Sequence, residues 1–139
     1  MTMEETQSAN DLPRGTILYI EDNSSNIELV EQILISQRPN IRLVSNMNGK
    51  LAVSLALKLE PDLILLDLNL PDINGDEVIR LLQEDEKTKK IPVVIISADA
   101  MALQLKKLLN AGARNYLIKP LEVKAFLLEV DKWVIDHEK

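Results

Sequence analysis

The sequence predicts a doubly wound α/β protein, a (βα)5 chain whose five parallel strands run in the order 2-1-3-4-5 with helices on both faces. Leu63 to Leu66 and Val93 to Ile96 each set four large apolar residues in a row, the pattern of strands buried on both faces of a parallel sheet. Elsewhere apolar runs alternate with stretches of helical spacing, and the right-handed crossovers that join such units force parallel pairing. Ile41 to Ser45 begins by alternating apolar with polar residues, which suits an edge. Two central strands and one edge fit the flavodoxin-like order, whose crevice opens between the first and third strands.

Residues 1–15 are polar, rich in Thr, Glu, Ser, Asn and Asp, and are expected to form a tail or linker ahead of one folded domain over residues 16–139. Ile17 to Ile20 is the first strand. Glu21, Asp22, Asn23 and Ser24 follow it, acids running into capping residues for a helix that turns Ile27, Val30 and Leu34 inward and ends near Gln37. Pro39 and Asn40 break the chain before the second strand. Asn48-Gly49 turns into a helix with Leu51, Ala52, Leu55, Ala56 and Leu59 inward, stopped by Pro61.

The third strand ends on Asp67, and Pro71 with Asn74-Gly75 turns the chain away from it. Asn74 is expected to cap a helix with Asp76 and Glu77 in its first turn and Val78, Leu81 and Leu82 inward. A charged loop, Asp85 to Lys90, leads to the fourth strand, which ends on Ser97. Met101 to Asn110 is helical, with Leu105, Leu108 and Leu109 inward and Ala111-Gly112 as its stop. Arg114 to Ile118 is the fifth strand and closes on Lys119-Pro120. Glu122 to about Asp136 is the last helix, with Val123, Phe126, Leu127, Val130 and Val134 on one face.

At 139 residues and 46% hydrophobic the chain is sized for a single core. Its 16 Lys and Arg against 22 Asp and Glu give a net charge of -6, which argues against a nucleic-acid partner. There is no Cys, and the only His, His137, stands near the chain end, so thiol chemistry, His-based triads and His-rich metal sites are excluded. The acids must carry any chemistry. No apolar run approaches membrane-spanning length and the first residues lack a signal peptide's apolar core, so no membrane partner and a cytoplasmic location are expected.

Glu21 and Asp22 end the first strand and Asp67 ends the third, so these acids are expected in one crevice, with Ser97 and Lys119 at the ends of the fourth and fifth strands on the same edge. Like charges so placed would raise each other's pKa unless a cation sits among them. Mg²⁺ fits, because it takes one or two carboxylates with phosphate oxygens and keeps several waters. With the Lys119 ammonium adding positive charge, the chemistry expected is in-line attack of the Asp67 carboxylate on a phosphoryl group. Taken singly, the Glu-Asp pair is an ordinary helix start, Asn74-Gly75 a turn, Ser97 a cap, Tyr116 a packing residue and Lys119 a solvated cation. Their coincidence on one edge is what gives them weight.

These residues resemble the signature of the receiver domains of two-component response regulators. That signature is an acidic pair after the first strand, Glu21 and Asp22, and a phosphoacceptor, Asp67, before a hydrophobic-Pro-x-x-Asn-Gly loop, Leu70 to Gly75. Ser97 after the fourth strand and Lys119-Pro120 after the fifth complete it. The resemblance covers about Thr16 to Asp136, and no motif position departs from the pattern. It implies that Glu21 and Asp22 form the metal pair, that Asp67 is phosphoacceptor and metal ligand, and that Asn69 lends a backbone carbonyl to the ion. It further implies that Ser97 binds a phosphoryl oxygen, that Tyr116 is a rotating switch aromatic, that Lys119 bridges to the phosphate and that the Lys119-Pro120 peptide is cis. Ser97 lacks the methyl of Thr, which implies a less firmly packed switch. The partner implied is a sensor histidine kinase or a histidine phosphotransfer protein. Ile17 to Asn23 followed by Asn26 resembles receivers fused to hybrid sensor kinases, so a stand-alone phosphorelay protein and a terminal receiver of such a kinase both fit.

Two alternatives stand beside this reading. Aspartyl-phosphate hydrolases of the haloacid dehalogenase type use a second Asp two residues after the nucleophile as general acid. Here that residue is Asn69, whose amide cannot exchange the proton, so the chain is expected to catalyse only its own phosphorylation and dephosphorylation. A degenerate receiver that binds partners without phosphorylation is opposed by the intact Asp67, Asp22 and Lys119. No effector domain is expected, so the signal would leave by a surface. Met101, Leu103, Leu105, Leu108 and Leu109 exceed one buried stripe, and the helix 101–110 with strand 114–118 and helix 122–136 is the expected dimer or partner contact.

Overall fold

The computed structural model describes residues 14–98 and 101–135, with backbone alone at 102 and 103. Most of the expected tail, the Asp136 end of the last helix and the Leu103 side chain lie outside the described residues. Strands β1 (Gly15–Ile20), β2 (Ile41–Asn46), β3 (Leu63–Asp67), β4 (Val93–Ser97) and β5 (Asn115–Ile118) form one sheet in the order β2-β1-β3-β4-β5, every neighbouring pair parallel. Helices α1 (Ser24–Gln37), α2 (Ala52–Leu59), α3 (Gly75–Glu84), α4 (Ala102–Ala111) and α5 (Val123–Val130) alternate with them, and α5 runs on as a π-helical turn, Asp131–Ile135. No helix among the described residues is long and apolar enough to cross a membrane.

The sheet divides the core into two layers because successive side chains point to opposite faces. Leu18, Ile20, Ile64, Leu66 and Ile95 pack on one side with Val78, Ile79 and Leu82 of α3. Ile17, Tyr19, Leu63, Leu65 and Ile96 pack on the other with Val30 and Leu34 of α1 and Phe126 and Val130 of α5. Every residue of β3 and β4 is buried, and each large one is worth roughly 1.5–3 kcal/mol relative to exposure. The element that carries Asp67 is therefore among the stiffest in the molecule.

Local differences from the sequence expectations have identifiable causes. β1 starts at Gly15, ahead of its apolar run, because the Asp62 carboxylate accepts the Thr16 N–H at 2.9 Å. Leu51 is exposed rather than inward: the chain enters α2 through a 3₁₀ turn, Gly49–Leu51, whose tighter winding rotates it off the stripe. In α3 Ile79 is fully buried and Leu81 only half-buried. Leu109 and Val123 are exposed, since β5 is an edge strand of four residues and leaves the ends of α4 and α5 uncovered. Asn74 occupies the N-cap position of α3 but its side chain makes no capping bond; its backbone instead bridges to Asn69. Gly75 beside it is required by close approach, because a Cβ there would stand 3.0 Å from Leu68 Cα. Gly112 closes α4 at φ 133°, a left-handed conformation that glycine alone adopts freely.

Candidate functional site

Parallel register builds the site. Ile20 pairs with Leu66, so the next residues, Glu21 and Asp67, emerge side by side at the carboxyl ends of β1 and β3. Asp22 follows, and one carboxylate oxygen from each of Glu21, Asp22 and Asp67 lies within 4.8 Å of the others. Glu21 is fully buried and Asp67 is 3% exposed, whereas Asp22 faces solvent. The chain then turns directly into α1, where the Asn23 side chain accepts the Asn26 N–H at 3.0 Å as an N-cap.

Lys119 reaches the same point from the sheet edge. Its N–H donates to the Ser97 carbonyl at 2.9 Å, and the Lys119-Pro120 peptide is cis. The ammonium stands 2.9 Å from Glu21 Oε1 and 3.6 Å from Asp67 Oδ1. Glu21 is held further by the Tyr19 hydroxyl, which donates to Oε1 at 2.9 Å, by Asn26 Nδ2 to Oε1 at 3.3 Å, and by the Asn23 N–H to Oε2 at 3.3 Å.

These contacts set the protonation order. Burial, the hydrogen bond with Glu21 and that residue's charge push the Asp67 carboxyl up to about 6, against the Asn69 N–H at 3.2 Å and the Lys119 charge. Burial alone would raise Glu21 too, but hydrogen bonds with Asp67, Lys119 and Tyr19 outweigh it and hold Glu21 below its ordinary value. Burial, together with the neighbouring Glu21 charge, pushes the Tyr19 hydroxyl well above its ordinary range, so it stays protonated and donates. Three clustered acids with one ammonium among them leave a surplus of negative charge on oxygen donors alone, which fits a hard divalent cation such as Mg²⁺. Glu21, Asp22 and Asp67 are the side chains that would hold it.

The other sequence candidates fall around this cluster at different removes. Ser97 is buried at the end of β4, one residue beyond Ile96, the neighbour of Asp67 in the sheet. Asn69 is exposed and keeps its backbone against Asp67. Tyr116 is 37% exposed on β5, with Ile118 beside it, on the edge of the sheet. Tyr19 and Asn26 stand out in the sequence only as parts of a familiar-looking stretch; the period-two spacing of Tyr19 and Glu21 on one strand face is the signal that links them. Asp72 is, in the sequence, only an unspecified position of the turn after Asp67. Its carboxylate accepts the Gly49 and Lys50 N–H groups at 3.0 and 2.9 Å and ties the loop after Asp67 to the entry of α2.

The sequence profile of the response regulator receiver domain matches residues 17–131. The chain is 30% identical over 121 residues to the polar-differentiation response regulator DivK of Brucella anthropi, covering 87% of this chain and 97% of that one. Among solved structures it resembles the receiver domain of the sensor histidine kinase PA1611 from Pseudomonas aeruginosa, crystallised with a magnesium ion in its active-site cleft, at 28% identity and a TM-score of 0.77 over 86% of this chain and 97% of that one. It also resembles the co-crystal of the Saccharomyces cerevisiae histidine phosphotransfer protein Ypd1 and the receiver domain of its response regulator Ssk1, at 25% identity and a TM-score of 0.78 over 90% and 95% of the two chains.

Proposed function

The chain belongs to the response regulator receiver domain family of two-component signalling, and we propose that it takes a phosphoryl group from the phosphohistidine of a kinase or histidine phosphotransfer protein onto Asp67, with Mg²⁺ held by Glu21, Asp22 and Asp67. One observation carries this reading: a carboxylate at the end of a fully buried strand has two other acids within 4.8 Å and an ammonium at 3.6 Å. In the transfer the P–N bond of the donor breaks, a P–O bond forms at an ionised Asp67 oxygen, and the imidazole leaves as the neutral ring, its other nitrogen keeping the proton it already carried in the phosphohistidine. A bound divalent ion supplies positive charge for the transferring oxygens.

The chain's own groups do the rest. Burial of β3 fixes the attacking carboxylate, Lys119 carries the second positive charge, and Ser97, buried at the end of β4, contributes its hydroxyl to a phosphoryl oxygen. Asn69, through its backbone carbonyl, adds an oxygen donor for the ion. With Asn69 where a hydrolase would carry its general acid, the protein acts on itself and does not turn over a separate substrate. A cavity of about 60 Å³ lined by Tyr19, Asn26, Leu29, Lys119, Pro120 and Leu121 lies beside the site, and exposed Leu29 offers the donor protein an apolar foothold there. Supply by a kinase relay implies a cytoplasmic location. The magnesium of the Pseudomonas receiver and the phosphotransfer partner of the yeast receiver support both halves of the reading.

The output surface is the edge formed by α4, β5 and α5, where Met101, Leu109, Tyr116, Ile118 and Leu128 are exposed, and it serves as the contact with a second copy or an effector. Incubation with acetyl phosphate and Mg²⁺ tests the central claim: the wild type should become phosphorylated and Asp67→Asn should not. Full labelling of Asp67→Asn, or none of the wild type from acetyl phosphate and from a phosphorylated phosphotransfer protein alike, would overturn it.

A further inference from the structure

Resting on the reading of Glu21, Asp22 and Asp67 as a divalent-cation site, we infer that Tyr19 and Asn26 are positioning residues for it, which saturate Oε1 of Glu21 and leave Oε2 as that residue's oxygen for the ion. Oε1 meets three donors, the Tyr19 hydroxyl and Lys119 Nζ at 2.9 Å each and Asn26 Nδ2 at 3.3 Å. A carboxylate oxygen has about two lone-pair directions, so three donors leave it nothing to give a metal. Oε2 takes a single long backbone bond, from the Asn23 N–H at 3.3 Å, and, Asp67 apart, is the less engaged of the two oxygens. Glu21 is thereby a ligand of one oxygen with a fixed orientation.

Tyr19 is suited to hold it. Its ring is fully buried, packed with Ile17, Leu65, Ile96 and Phe126, so the hydroxyl stands at a fixed point two residues before Glu21 on the same strand face. The position demands a glutamate as well. An aspartate, one methylene shorter, would draw its carboxylate away from the hydroxyl. Asn26 comes from the first turn of α1, whose start is fixed by the Asn23 cap, so strand and helix aim at one oxygen from two directions. Removing hydrogen bonds to a metal ligand weakens metal binding on the order of tenfold or more.

The test is the Mg²⁺ dissociation constant of the full chain by isothermal titration calorimetry, beside melting curves in EDTA. Tyr19→Phe should weaken Mg²⁺ binding about tenfold while still melting cooperatively without metal, and Asn26→Ala, at a half-buried position outside both core layers, should weaken it in the same direction. Glu21→Asp should weaken it too, and adding Tyr19→Phe to Glu21→Asp should then cost nothing further, because the pair is already parted. A purely structural tyrosine would give additive effects. Tyr19→Phe and Asn26→Ala both binding as the wild type does, or an additive cycle, would overturn the positioning role alone. A wild type that binds no Mg²⁺ would overturn the cation site and this inference with it.

Discussion

Lys119 Nζ lies 2.9 Å from Glu21 Oε1 and 3.6 Å from Asp67 Oδ1, so the cation of the site is spent first on the acid that is fully buried. Breaking a buried pair by removing one partner costs about 3–5 kcal/mol, because a charge is left uncompensated. Lys119→Met should therefore lower the melting temperature in EDTA. Millimolar Mg²⁺ should then raise it by more than it raises the wild type, since a more negative cluster gains more from the ion. Calorimetric melting with and without Mg²⁺ checks both; an unchanged melting point in EDTA would show that the pair contributes nothing to the fold.

Asp67 works against folding in the metal-free protein, for burial and Glu21 push its carboxyl up to about 6. Asp67→Asn keeps the shape and removes the charge. In EDTA at pH 8 this variant should be more stable than the wild type by on the order of 3 kcal/mol, the cost of ionising a carboxyl held at about 6 instead of its ordinary 3.8. Urea unfolding measures it, and a less stable variant would mean that the Asn69 and Lys119 contacts outweigh the repulsion.

Asp22 is exposed while its two companions are buried, which separates binding from folding. Asp22→Ala should melt with the wild type in EDTA and lose most of the upward shift that Mg²⁺ gives the wild type. Equal Mg²⁺ shifts in the two proteins would remove Asp22 from the site.

Much of this was legible in the sequence because it depends on little more than strand ends. β3 and β4 are buried on both faces, so an unbroken apolar run marks them whatever the register, and the residue that follows each run is bound to lie at the carboxyl edge. What the sequence does not show is how the polar groups share one another. Tyr19 in an apolar strand reads as packing until the neighbouring acid is placed, and the preference of Lys119 for Glu21 over Asp67 is a matter of tenths of an ångström across strands far apart in sequence. Leu51 misleads because a 3₁₀ entry to α2 breaks the helical period. The bonds from Gly49 and Lys50 to Asp72 span more than twenty residues and leave no local pattern.

That clip gives a pH-dependent prediction. The Lys50 N–H, with the Gly49 N–H, holds the Asp72 carboxyl below its ordinary 3.8. A carboxylate with a depressed folded pKa contributes stability that is present above its unfolded value and is lost as pH falls through the folded one. Asp72→Ala should cost about 1 kcal/mol at pH 7, the usual worth of a carboxylate at a helix start, and the difference from the wild type should close below about pH 4. Denaturant melts at pH 7 and pH 3 check the sign. A difference that persists unchanged at pH 3 would show that the carboxylate charge is not the cause.

The last prediction concerns how a phosphoryl group on Asp67 is felt at the far edge of the sheet. Phosphorylation adds charge and strong acceptor oxygens at the end of β3, one residue short of the level of Ser97 on β4. Ser97 is buried and its carbonyl accepts the Lys119 N–H at 2.9 Å, so a hydroxyl drawn toward the new oxygens moves against the backbone that carries β5. Tyr116, on that strand beside Ile95 of β4, is 37% exposed, a large ring that an inward turn would bury. Ile118 on the same strand and Met101 and Leu109 at the two ends of α4 are exposed as well, so an inward turn alters the apolar surface offered to a partner. Beryllofluoride, which mimics the phosphoryl group, should therefore shift amide NMR signals across residues 97 to 120 as well as around Asp67. The Ser97→Ala variant should bind the mimic yet shorten the reach of those changes. Shifts confined to the neighbourhood of Asp67 in the wild type would rule out transmission through Ser97 and Tyr116.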